Sequence, residues 1–129
     1  MNTDINILVV EDEKPLADAI RSKLELNGFS VVQARSAEQA LGYLGDLKIG
    51  VIWLDHYLFG QEDGLDLVVK IKQDDNWKDI PIFVVSNTAS ADKVKSYLAL
   101  GVSKYFTKSD FRLDQIILDI KNYLSKKHE

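Results

Sequence analysis

Four features of this 129-residue chain have the right residue types for phosphoryl chemistry. They are the acidic run Glu11-Asp12-Glu13, Asp55 closing Val51-Ile52-Trp53-Leu54, Ser86 after Val84-Val85, and Lys108 after Phe106-Thr107. Two or three converging carboxylates suit Mg²⁺, a hard cation that takes oxygen ligands and keeps several waters, so one or two protein carboxylates suffice. A carboxylate can also act as nucleophile and form an aspartyl phosphate. An ammonium and a hydroxyl can then meet the negative charge on the phosphoryl oxygens. Each signal is weak alone. An acidic run is often a helix start, favoured by the macrodipole. A lone Asp can be a strand-end cap, a lone Ser is more often a turn residue, and a lone Lys is more often a solvated charge. They matter only if the chain brings them to one place.

The hydrophobic pattern says that it does. Short apolar runs at 5–10, 30–34, 49–54, 80–85 and 104–106 alternate with longer amphipathic stretches. Near-continuous Val/Ile/Leu is how strands of a parallel sheet look when both faces are covered. Between them, Leu16, Ile20 and Leu24 repeat at helical spacing. Pro15 suits a first turn, and Asn27-Gly28 a stop. Ser36 and Gln39 fit a capping box. Further helices are expected at 65–73, 91–100 and 113–124, the last with Leu113, Ile116, Ile117, Ile120 and Leu124 on one face. Five strand–helix units predict a three-layer α/β sandwich around a parallel sheet. In such folds the functional crevice lies beyond the carboxyl ends of the strands, where Glu11, Asp12, Asp55, Ser86 and Lys108 all stand.

Composition narrows the classes. The length is that of one domain, and such a chain buries roughly two-thirds of its unfolded surface. With 46% hydrophobic and 28% charged residues it is ordinary globular protein rather than disordered. A net charge of −4 makes nucleic-acid binding through phosphate neutralisation a poor prospect. The absence of Cys excludes disulfides, thiolate metal sites and Cys nucleophiles. The apolar runs fall far short of the roughly 20 residues a membrane helix needs. Met1-Asn2-Thr3-Asp4 does not look like a signal peptide, so the expectation is a soluble cytoplasmic domain with no membrane insertion.

With these residues in this order, the chain resembles a bacterial response-regulator receiver domain of the chemotaxis type, over about residues 5–124. The resemblance implies a flavodoxin-like (βα)5 sandwich with strand order 2-1-3-4-5. It implies one receiver domain over residues 1–129, with no output domain, in two-component signalling. Asp55 is then the phosphoacceptor. Glu11 and Asp12 form the acidic pair for Mg²⁺ or Mn²⁺, Asp12 directly and Glu11 through water, and the Tyr57 backbone carbonyl completes the protein ligands. Ser86 is the switch hydroxyl, Lys108 pairs with a phosphoryl oxygen, and Tyr105 is the aromatic that reports the switch. Tyr57 and Thr88 tune loss of the phosphoryl group. The implied partners are a sensor histidine kinase or phosphotransfer protein and a downstream protein effector, with the chain a monomer or a phosphorylation-dependent dimer. Apart from its own phosphorylation and dephosphorylation, no enzymatic substrate is expected.

The sequence departs from that pattern twice. Where the family has Lys-Pro with a cis bond, this chain has Lys108-Ser109. A cis bond before a non-proline residue costs about 2.5–4 kcal/mol, so either the strain is kept or the loop is rearranged, with Ser109 or Asp110 free to cap the last helix. The loop after Asp55 lacks the usual Pro, has Phe59 in its place, and puts Gly64 one residue late. This predicts a reshaped loop with Phe59 exposed. Tyr57 offers no group to position an attacking water, which predicts slow self-dephosphorylation. His56 reads as an exposed loop residue with no role, and Trp53 as core, although strand alternation could put it near the site. Trp77 reads as a loop residue over the sheet edge, and Tyr97 as a core-edge aromatic. Two rivals remain: a pseudo-receiver that binds partners without phosphate, and a phosphatase or flavoprotein of similar fold. For the latter, Tyr57 stands where a phosphatase wants Asp, and Glu11-Asp12-Glu13 where a phosphate loop belongs.

Overall fold

A computed structural model describes residues 5–87 and 90–127. Strand and helix alternate throughout: β1 (Asn6–Val10), α1 (Lys14–Leu26), β2 (Ser30–Ala34), α2 (Ala37–Asp46), β3 (Val51–Leu54), α3 (Gly64–Lys72), β4 (Ile82–Ser86), α4 (Ala91–Ala99), β5 (Lys104–Thr107) and α5 (Leu113–Lys127). The five strands form one parallel sheet in the order β2-β1-β3-β4-β5, as expected. Successive strand residues point to opposite faces, and this splits the core in two. Ile7, Val9, Trp53, Phe83, Val85 and Phe106 pack with Ile20 and Leu24 of α1 and Ile116, Ile117 and Ile120 of α5. Leu8, Val10, Ile52, Leu54, Ile82 and Val84 pack with Leu44 of α2, Leu67, Val68 and Ile71 of α3, and Tyr97 of α4. The apolar runs are unbroken because each residue has a helix layer to face, and each buried aliphatic side chain contributes about 1.5–3 kcal/mol.

Local signals set the helix ends. Ser36 accepts from the Gln39 N–H at 3.1 Å, while the Gln39 side chain reaches back to the N–H of Arg35, one residue earlier than a standard capping box. Asp63 and Asp66 make the full reciprocal box at the start of α3. Gly28, with φ of 92°, turns the chain out of α1 in a conformation few other residues tolerate. β2 has the bounds expected, and the other strand bounds differ from the sequence pattern by one or two residues. Ile49 is buried yet precedes β3, and β4 runs on through Ser86. Trp53 points to the α1/α5 side, within the core, and its buried indole N–H has no hydrogen-bond partner among the described residues.

The order of the strands decides where a site can form. From β1 the chain crosses first to β2 on one side and then to β3 on the other. The resulting crevice lies beyond Val10 and Leu54, which are register partners. A groove of about 600 Å³ opens elsewhere, lined in part by Leu44, Leu47, Lys48, Trp77 and Pro81.

Candidate functional site

The ladder continues one residue past the paired strand ends. Glu11 N–H donates to Ala34 O at 2.9 Å, and Asp55 N–H to Val10 O at 3.0 Å. These bonds fix two carboxylates side by side in the crevice, Glu11 at 2% exposure and Asp55 at 5%. Asp12 adds a third, half-buried, and one carboxylate oxygen from each of the three lies within 4.8 Å of the others. Lys108 enters from β5. Its Nζ lies 2.9 Å from Glu11 Oε1 and 3.4 Å from Asp55 Oδ2. Burial, then the neighbouring Asp55 charge, raises the Glu11 pKa, and the Lys108 contact offsets only part of this. Burial opposes the charge on Lys108, but its hydrogen bond to Glu11 and the Asp55 charge outweigh that and raise its pKa.

Lys108 gets there without a cis peptide: among the described residues every peptide bond is trans. A 3₁₀ turn at Lys108–Asp110 does the aiming instead. Of the two alternatives for Lys108-Ser109, the rearranged loop is the one found. Arg112, rather than Ser109 or Asp110, stands immediately before α5. The Arg112 N–H, just before that helix, is met by the Gln115 side chain at 2.8 Å. Ser86, fully buried at the end of β4, is in register with Thr107. Its side chain hydrogen-bonds the half-buried Tyr105 phenol, whose pKa is raised chiefly by burial. Thr88 lies outside the described residues.

The loop between Asp55 and α3 is tied down at both ends and exposed in the middle. Phe59 is 58% exposed, as expected. Its N–H donates to Arg35 O at 3.0 Å, and the Arg35 guanidinium sits 4.7 Å from its ring centre. Tyr57 is also exposed, edge-on to the His56 ring.

His56 corrects the sequence reading: it is buried, at 3% exposure. Its Nδ1 lies 2.6 Å from the Tyr97 hydroxyl and its Nε2 3.7 Å from Asp63 Oδ2. Burial lowers the His56 pKa and raises that of Tyr97. A neutral ring and a protonated phenol follow, so Tyr97 donates to Nδ1 and the Nε2–H faces the Asp63 carboxylate. The His56 N–H also donates to Asp55 Oδ1 at 2.8 Å. Sequence reasoning missed this link, although one signal for it was present. Tyr97 is the large aromatic of α4, and a buried phenol needs a partner.

The arrangement can hold a hard divalent cation among oxygen donors and present a carboxylate nucleophile beside an ammonium. Residues 7–121 match the family described as response regulator receiver domain. The phosphate regulon transcriptional regulatory protein PhoB of Pseudomonas aeruginosa is 33% identical over 102 residues, 79% of this chain and 44% of that protein. The chain therefore spans about half the length of that relative. The phosphorylated cyanobacterial phytochrome response regulator RcpA is similar in structure, with a TM-score of 0.79 and 29% identity over 93% of this chain and 91% of that one. The Mn²⁺-bound response regulator Rcp1 gives 0.81 and 25% over 93% and 94%.

Proposed function

Because the chain belongs to the response regulator receiver domain family of two-component signalling, we propose that Asp55 accepts a phosphoryl group and that the domain works as a phosphorylation-controlled switch. The observation that carries this is the approach of Lys108 Nζ to both Asp55 and Glu11 in one buried carboxylate cluster. The donor is a histidine kinase or phosphotransfer protein. The N–P bond of its phosphohistidine breaks, an O–P bond forms on the Asp55 carboxylate, and the released imidazole takes a proton from solvent.

Glu11, Asp12, Asp55 and the Tyr57 carbonyl are the groups that would hold Mg²⁺ or Mn²⁺. The clustered carboxylates are all-oxygen donors, as these cations prefer. Bound there, the cation supplies charge neutralisation for the phosphoryl oxygens. The chain's own groups do the rest. Lys108 exchanges a carboxylate partner for a phosphoryl oxygen, and the Ser86 hydroxyl turns toward another. Tyr105, bonded to Ser86, follows it and alters the surface of α4, β5 and α5, where a downstream protein effector docks. Two local arrangements biased by one new charge make a switch. No separate substrate is required. The pseudo-receiver alternative leaned on Lys108-Ser109; the reach of Lys108 to Asp55 favours the phosphoacceptor reading.

Acetyl phosphate with Mg²⁺ is expected to add one phosphoryl mass to the chain, and none to Asp55→Ala or in the absence of the cation. No mass increase in the unaltered chain would overturn this reading in favour of the pseudo-receiver.

A further inference from the structure

We propose that His56 is a positioning residue for Asp55 and that the Tyr97 hydroxyl is the handle by which α4 holds it. The proposal rests on Asp55 being the phosphoacceptor. It concerns a connection separate from the Ser86–Tyr105 pair.

The N–H, the carbonyl and Nδ1 of His56 each have a hydrogen-bond partner, and Nε2 faces a carboxylate; the partners lie on different elements. Its N–H donates to Asp55 Oδ1 at 2.8 Å. Its carbonyl accepts from Gly64 N–H, at the start of α3, at 2.9 Å. Its ring faces Tyr97 of α4 through Nδ1 and Asp63, the cap of α3, through Nε2. The peptide that touches the Asp55 carboxylate is therefore fixed by its own side chain. On the other side of that carboxylate, Oδ2 faces Lys108. Two donors from opposite sides set the rotation of the carboxylate, and with it the direction its oxygens present to an incoming phosphorus. Rate depends steeply on such alignment.

Gly64 shows that the phenol is seated at the base of the loop. A Cβ at that position would collide with the Tyr97 hydroxyl, and would come within 3.0 Å of Asp55 O and 3.1 Å of His56 Cα. The missing side chain is the space in which the hydroxyl, the His56 backbone and α3 meet. A displacement of α4 would pull the phenol from Nδ1, release the ring and tilt the N–H that holds Oδ1. By reciprocity, a partner that grips α4 alters the readiness of Asp55, and phosphorylation of Asp55 alters α4.

Simple core packing predicts something different, because Tyr97→Phe keeps the ring and removes only the hydroxyl. The test follows phosphorylation of the full chain with acetyl phosphate and Mg²⁺. Tyr97→Phe and His56→Leu are expected to lower the rate at saturating donor on the order of tenfold, with the half-saturating donor concentration unchanged. The double variant should be no slower than His56→Leu. His56→Asn keeps a polar atom at the Nδ1 position and should recover most of the rate. Tyr43→Phe, which removes a phenol from α2, should react like the unaltered chain. Before any donor is added, NMR of Tyr97→Phe should show shifted Asp55 Cγ and His56 amide resonances, and NMR of Tyr43→Phe should not. Unchanged rate and unchanged resonances in Tyr97→Phe would overturn the proposal. Should the unaltered chain take no phosphoryl, the phosphoacceptor reading falls, and the resonances alone decide: a shift sustains the contact to Asp55, and none refutes it. Should Tyr97→Phe fail to fold, His56→Leu against His56→Asn gives the same contrast.

Discussion

Tyr57 stands two residues past Asp55 with its ring turned to solvent. It brings bulk and no carboxylate or amide to orient a water for attack on an acyl phosphate. Replacing it with Asn supplies such a group without disturbing the core. Tyr57→Asn is expected to shorten the phosphoryl lifetime severalfold, measured by loss of the added mass after donor is removed. A lifetime that barely changed, or grew, would sink the slow-dephosphorylation idea. Tyr97 gives a prediction of the opposite kind, about stability. Burial first, then the charge of Asp63, holds its phenol protonated well above the unfolded value of 10.0. A group with a raised folded pKa contributes stability below its unfolded pKa and loses it as pH rises beyond. At neutral pH, Tyr97→Phe should be less stable by about 1–3 kcal/mol, because a buried His56 nitrogen loses its partner. Above pH 10 the unaltered chain should lose about 1.4 kcal/mol per pH unit relative to the variant, since Phe has no proton to release. Urea unfolding from neutral pH to about pH 11 tests this. A difference that stays constant through pH 10 would contradict it.

Elements were legible in proportion to how local their causes are. β1 and β4 showed as apolar runs because their residues are sandwiched between helix layers, and this alone marks a strand as central. Ser36 showed as a cap because the bond it makes spans three residues. The capping box of α3 was overlooked because Asp66, not the usual Glu or Gln, stands at its third position. The carboxylates and Lys108 were legible as strand-end residues, since strand order alone brings such ends together. The 3₁₀ turn at Lys108–Asp110 was not, because it accompanies an attraction between Lys108 and Glu11, 97 residues away. The same holds for His56. Its sequence neighbours suggest an exposed loop, while its burial is sealed by Tyr97, 41 residues on, and by the side chain that Gly64 lacks. Pattern reading sees periodicity and caps; it has no view of a buried polar pair that forms only when two distant elements close.

The whole molecule bears a cost for its site. Among the described residues it folds three carboxylates into one crevice beside the Lys108 ammonium, two of them almost fully buried. Like charges brought this close disfavour one another's ionised forms, and burial first, then the Asp55 charge, raises the Glu11 pKa. The unfolded chain separates the same groups and has no such cluster. A divalent cation that binds the folded cluster alone must therefore stabilise the fold by mass action. At one hundred times its dissociation constant the gain is about 2.7 kcal/mol. For a domain of this size that corresponds to a rise in Tm on the order of 10 °C. Mg²⁺ is expected to raise the melting temperature of the full chain, and EDTA to return it to the starting value. Asp12→Asn should abolish most of the rise, since it removes a charged group of the proposed cation site while leaving the Lys108 contacts to Glu11 and Asp55 in place. The same variant should melt no lower than the unaltered chain without metal, because it also removes one of the repelling charges. A melting temperature indifferent to Mg²⁺ would mean that the cluster is a structural ion-pair site, with Lys108 as its counter-ion, and would count against the cation half of the proposed switch.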